Sequence, residues 1–118
     1  MTSQEKAIRI ASVLDAKKGK AVRILKVDNE TVITDYFVIA TAGSSTHLKA
    51  LCDEVSFQIR EESGQSPLRT EGYSAGGWIL VDYGDVIVHI FDAEARQFFN
   101  LEKLWNTAEV VEFECKED

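Results

Sequence analysis

Cysteine, proline and histidine are scarce in this chain, and no apolar run is long. The two cysteines, Cys52 and Cys115, lie 63 positions apart and fit no C-x-x-C spacing, so a disulfide framework and a zinc ribbon are both excluded. Cys52 falls on the apolar side of a helical pattern and reads as a buried thiol. Cys115 lies in an acidic tail and reads as a free one, and the pair together suits a reducing compartment. With two histidines and two scattered cysteines, no zinc ligand set is expected. No stretch approaches the roughly 18 apolar residues of a membrane span. The opening Met1-Thr2-Ser3-Gln4-Glu5-Lys6 has no apolar h-region, so no secretory signal or transit peptide is expected, which favours a bacterial cytoplasm. Pro67 is the single proline, and no repeat, linker or low-complexity tract is visible.

What is present is a chain of single-domain length, 118 residues with 45% hydrophobic, enough for a core that needs no staples. Its formal net charge of −7 is unevenly placed: residues 1–26 carry +5 and residues 27–118 carry −12. Such an acid excess is repelled by bare phosphate and suits a basic protein partner. The basic start leaves room for a minor RNA contact.

The hydrophobic pattern gives the order αββαβββα, which argues for one mixed sheet flanked by helices in an α/β (α+β) domain spanning 1–118. Thr2 and Glu5 have capping-box spacing before a helix with Ala7, Ile8, Ala11 and Leu14 on one side. Ala21–Val27 reads as a strand. Thr31–Ala42 reads as another, with Asp35 marking a kink or bulge. A long helix follows Gly43-Ser44-Ser45, carries Leu48, Leu51, Cys52, Val55 and Ile59, and ends at Gly64. Leu68–Gly72, Trp78–Asp82 and Val86–Phe91 read as strands, the last two joined by a turn at Tyr83-Gly84-Asp85. Asp92 caps a helix carrying Phe98, Leu101, Leu104 and Trp105. Val110–Phe113 adds an edge strand, and an acidic extension starts at about residue 109.

Chemistry has few places to live. The Gly43-Ser44-Ser45-Thr46 loop joins a strand to a helix start and could hold an anion. It lacks both the P-loop and the G-x-S-x-G patterns. A nucleotidyl- or phosphoryl-transferase reading would use Ser44, Ser45 and Glu71, but the carboxylate pair such an enzyme needs is missing. Asp53-Glu54 splay apart on a helix, and Asp92-Ala93-Glu94 sit far downstream. His47 and His89 could pair with Ser44 or Asp82, with no third group to orient them. On Trp78–Asp82, alternation puts Trp78, Leu80 and Asp82 on one face and Ile79, Val81 and Tyr83 on the other. The first face is either core with a polar rim or an exposed binding face, and pattern alone favours core.

Read in order, Asp35-Tyr36-Phe37-Val38-Ile39-Ala40-Thr41, Ser44-Ser45 with His47, Glu71-Gly72, Trp78, Asp82 through Phe91, Glu94-Ala95-Arg96 and Leu101 through Trp105 form a specific set. The chain resembles the ribosomal silencing factors, the iojap-like family, from about Ala7 to Ala108. Thr46 departs from the Ser-Arg-His common in that family and removes one positive charge before the long helix. The resemblance implies a nucleotidyltransferase-like fold without catalytic acids and a protein that is not an enzyme and needs no cofactor. It implies binding to the large ribosomal subunit at ribosomal protein L-fourteen, which blocks joining of the small subunit and represses translation when nutrients are scarce. A role in large-subunit assembly is the related alternative. It also turns the Trp78 face into a docking surface, with Trp78 and Leu80 at its apolar centre, Asp82 and Asp85 meeting basic residues at the rim, and Tyr83 also among the partner-binding residues. Asp35, Glu71, His89 and Arg96 are family-motif positions that bind or tie the fold together. Self-association through the same face, as a homodimer, is compatible with the pattern.

Overall fold

A computed structural model describes residues 1–74 and 76–114; Cys115 and the end of the acidic extension lie outside the described residues. The elements are α1 (Ser3–Ala16), β1 (Lys20–Lys26), β2 (Tyr36–Thr41), α2 (Ser45–Ser63), β3 (Arg69–Glu71), β4 (Trp78–Asp82), β5 (Val86–Phe91), α3 (Ala93–Phe99), α4 (Leu101–Leu104) and β6 (Glu109–Val110). The strands form one mixed sheet in the order β3-β4-β5-β2-β1-β6. Only β2 and β5 run parallel; the other neighbours are antiparallel.

The two long helices start and stop where the sequence says they should. In α1 the Thr2 hydroxyl accepts from the Glu5 N–H at 3.1 Å, and the Glu5 carboxylate accepts from the Thr2 N–H at 2.8 Å. Two otherwise free donors are satisfied, an arrangement worth about 1 kcal/mol. The buried stripe of α1 is Ala7, Ile10, Ala11 and Leu14; Ile8, expected there, is only half-buried. In α2 the five apolar positions read from spacing are all buried, and Gly64 ends the helix in the left-handed region at φ 74°. Both helices pack on one face of the sheet against Val38, Val81, Val88 and Ile90. Lys6 comes down with α1 and is itself buried, its Nζ 2.7 Å from a carboxylate oxygen of Asp85.

Strand β5 is buried at every position, and β2 at every position but Thr41, as central strands covered on both sides must be. Three expectations need correction. The Thr31–Ala42 strand begins only at Tyr36, because the ladder to β1 ends at Lys26↔Tyr36 and that to β5 at Tyr36↔Val86. Residues 31–35 have β propensity but no strand beside them, so Val32 and Ile33 project into solvent. Asp35 stands at a bend just ahead of the strand, in keeping with the expected kink: its carbonyl accepts from Val27 N–H, and its own N–H and that of Tyr36 both donate to the Asp85 carbonyl, outside the paired registers of β2. The register shift lies in β1, between Lys20 and Arg23, where Ala21 has φ 49°. The helix after Asp92 breaks at Asn100 (φ 47°) into α3 and α4, and the last strand shrinks to Glu109–Val110.

Gly72 closes the turn after β3 at φ 82°, and a Cβ there would stand 2.2 Å from the Trp78 carbonyl oxygen. Gly64 has the same backbone hand with open space around it. Gly64→Ala is therefore expected to cost about 1 kcal/mol from backbone strain alone. Gly72→Ala adds a backbone collision and should cost about 3 kcal/mol or more. Urea denaturation of the two variants tests this, and equal losses would contradict the close approach.

Candidate functional site

The other face of the sheet has only short helices to cover it. Leu25, Val27, Phe37, Ile39, Ile87 and Phe91 form a second core there, under Leu101, Trp105 and Ala108. This cover stops short of β4 and β3. Strand β4 keeps the alternation expected of it: Ile79, Val81 and Tyr83 are buried toward the long helices, while Trp78, Leu80 and Asp82 are half-buried on the open face.

Trp78 is thus neither plain core nor plain surface. Its indole stacks on Phe91 (centroids 5.3 Å apart, 26° between planes) and on His89 (5.8 Å, 28°), and Phe99 of α3 leans on it at 4.6 Å. Phe98 meets Phe99 edge-on at 5.1 Å and is itself 79% exposed. Leu104 is also largely exposed. The apolar surface beside Trp78 therefore runs from a stacked tryptophan through Phe99 to the exposed Phe98.

His89 holds this arrangement from beneath. It lies in the middle of β5, 6% exposed, with Phe37 edge-on at 5.1 Å. The Trp78 Nε1–H donates to His89 Nδ1 at 3.2 Å. That bond places the imidazole proton on Nε2, which is buried without a hydrogen-bond partner among the described residues. Burial pushes the His89 pKa down to about 4, so the ring stays neutral and orients the indole.

Several residues expected at the docking face have other employment. Tyr83 is buried among the core side chains under Lys6, and burial pushes its hydroxyl up to about 12; it is removed from the docking set. Asp82 accepts from Gly84 N–H at 2.7 Å and from Arg69 Nε at 3.2 Å, which shapes the β4–β5 turn. Asp85 is paired with buried Lys6, so neither aspartate stands free at a rim. Arg96 donates to both carboxylate oxygens of Glu102, at 3.1 and 2.9 Å, and to the Thr41 hydroxyl at 3.0 Å, pinning α3 and α4 to the end of β2. Glu71 meets Arg69 at 3.3 Å between two exposed side chains, a contact worth little.

The residues of the transferase reading do not converge. Ser44 caps α2 by accepting from His47 N–H, and Glu71 lies on β3, three strand spacings or about 14 Å away across the sheet. His47 accepts from Gly43 N–H and bonds the Lys17 carbonyl at 2.8 Å through Nε2, clasping α2 to the end of α1. Cys52 is buried, and burial raises its thiol to about 11. Among the described residues no group of three or more His, Cys, Asp or Glu side chains is placed to hold a metal ion, and no helix is long and apolar enough to cross a membrane. Sequence reading missed Phe91, Phe98, Phe99 and Leu104. The available signal was the Phe98-Phe99 pair, two large aromatics in a row at the end of a helix too short to bury both.

Comparison with known proteins returns one family throughout. The family model described as "Ribosomal silencing factor during starvation" matches residues 1–118. The ribosomal silencing factor of Halalkalibacterium halodurans is 36% identical over 114 residues, 97% of each chain. The mouse protein named "Mitochondrial assembly of ribosomal large subunit protein 1" is 31% identical over 98 residues, 81% of this chain and 43% of that one. A crystal structure of a protein from Chromobacterium violaceum superimposes with a TM-score of 0.85 at 31% identity, covering 90% of this chain and 88% of the other.

The His89 environment sets a pH dependence. The unfolded chain binds a proton at this imidazole below pH 6.5, whereas the folded chain excludes it down to about pH 4. The stability this histidine supplies is complete above pH 6.5 and is lost as pH falls toward 4, by about 3 kcal/mol in all. His89→Phe should remove that part of the slope. Denaturation curves of the two proteins between pH 7 and 4 check it, and parallel curves would refute it.

Proposed function

The chain belongs to the family of ribosomal silencing factors, and on that premise we propose that it is a translational repressor working by occupancy rather than catalysis. It docks on the large ribosomal subunit at ribosomal protein L-fourteen and, by its bulk, keeps the small subunit from joining when nutrients are limiting. The observation that carries the docking reading is the half-covered aromatic face of β4, where a fixed Trp78 grades into exposed Phe99 and Phe98. Such a centre, in a chain of net charge −7, suits a basic protein surface. The L-fourteen assignment itself rests on the family resemblance.

A standard interface of about 800 Å² per partner is sufficient for stable docking. Its apolar centre needs little ordering on binding, because Trp78 is already stacked and hydrogen-bonded in the free chain. The same economy would apply to a copy of the chain, so homodimerisation would compete with docking. Lys17, Lys18, Lys20 and Arg23, grouped at the end of α1 and the start of β1, are the residues for a minor RNA contact. A cytoplasmic location and a nucleotidyltransferase-like ancestry without catalytic carboxylates complete the reading. The mouse relative's name supports a second one, in which the same docking serves assembly of the large subunit and differs in timing.

Sucrose-gradient sedimentation of purified subunits under joining conditions tests the proposal. The chain should travel with the large subunit and deplete the joined peak in proportion; retention at the top of the gradient with joining unchanged would refute it. Trp78→Ala should weaken large-subunit binding by about 2 kcal/mol or more. Because Trp78 also packs in the fold, Phe98→Ala is the companion: it should weaken binding while leaving the urea midpoint where it was.

A further inference from the structure

Beside Trp78 the surface is concave, and the concavity has a definite chemistry. A groove of about 350 Å³ has Trp78, Leu80, Ala95 and Phe99 as its apolar lining. Gly72, Gly76 and Gly77 contribute backbone without side chains, and among the described residues Glu71 is its only charged lining group. A second, shallower concavity shares Gly76, Gly77 and Ala95 with it and adds Asp92, Glu94 and Phe98. Among the described residues no lysine, arginine or histidine lines either one.

The carboxylates differ in how free they are. Asp92 is committed, since its Oδ1 accepts from Ala95 N–H at 2.7 Å and so caps α3. Glu71 has only the solvent-exposed contact with Arg69. Glu94 is exposed and has no ion pair among the described residues. These two, rather than Asp82 and Asp85, are the acids left to meet a partner.

We propose that this groove is the seat of one arginine side chain of the basic protein on which the chain docks. The aliphatic stem lies on Leu80 and Ala95, and the guanidinium lies against the Trp78 and Phe99 rings within reach of Glu71 or Glu94. An aromatic wall beside a carboxylate suits a guanidinium better than an ammonium: the planar, weakly hydrated ion stacks on the ring while its edge still donates two parallel hydrogen bonds. This assignment rests on the docking reading given above, and it names the partner chemistry at that site.

Two measurements test it. In the first, the isotopically labelled chain is titrated with N-acetyl-arginine amide, N-acetyl-lysine amide and N-acetyl-citrulline amide, with the Trp78 indole N–H and the Gly77 amide followed by NMR. The arginine compound should give saturable shifts in the tens-of-millimolar range, the lysine compound smaller ones, and uncharged citrulline none. In the second, the Glu71→Gln/Glu94→Gln chain is compared with the wild type for large-subunit binding across a salt series. About a tenfold loss at 0.1 M salt, shrinking as salt rises, is expected. Equal shifts from arginine and citrulline, or from arginine and lysine, overturn the assignment, as does unchanged affinity of the double variant. The titration needs no ribosome, so failure of the wild type to bind subunits would sink the docking reading while the groove chemistry was judged separately.

Discussion

Six strands present two faces, and the chain has long helices for only one of them. Helices α1 and α2, of 14 and 19 residues, cover the first face. What remains for the second is α3 and α4, of seven and four residues, and the segment through Ala108. They suffice to shield β1, β2 and β5 but not β4 and β3. A sheet face left open to water is ordinarily made polar. Here the open part of β4 instead carries Trp78 and Leu80, and the helix beside it carries Phe98 and Phe99. The exposure is therefore a property of the fold's accounting of surface, and it is what makes the face available to a partner.

The partial cover holds because a few polar ties fix it. Arg96 links α3, α4 and β2 through Glu102 and Thr41 in one partly buried cluster. Without that link neither short helix would have much reason to stay, since no residue of either is fully buried. His89 acts at the other end of the same layer. An imidazole in the middle of an otherwise apolar strand costs desolvation, and its Nε2 finds no partner among the described residues. What the fold obtains in return is one orientation for the Trp78 indole. The observed hydrogen bond and stack hold that ring at the boundary between core and solvent, where an unanchored tryptophan would choose among rotamers.

Elements whose evidence is local were legible in the sequence. The capping box of α1, the spacing and terminal glycine of α2, and the strict alternation of β4 all stand in the structure. Illegible parts depended on distant neighbours. Val32 and Ile33 look like strand until it is known that β1 and β5 both end before reaching them. Asp82 and Asp85 look like rim acids until Arg69 and Lys6 arrive, and Lys6 lies 79 positions from its partner. Tyr83 follows from alternation alone, and placing it with Trp78 gave the family pattern more weight than the strand geometry.

These corrections change the electrostatics of the docking face more than its location. With Asp82 and Asp85 paired to cations of the same chain, the negative charge beside Trp78 is carried by Glu71 on β3 and by Asp92 and Glu94 at the start of α3. Charge that is already paired steers little, because its field is cancelled at close range, whereas Glu94, which has no ion pair among the described residues, and Glu71, whose contact with Arg69 is solvent-exposed, stand beside an apolar groove where Coulomb terms grow. A basic surface approaching this face is thus drawn toward the groove and not toward the β4–β5 turn. Under the proposed docking, that direction fixes which way the bulk of the chain lies against its partner.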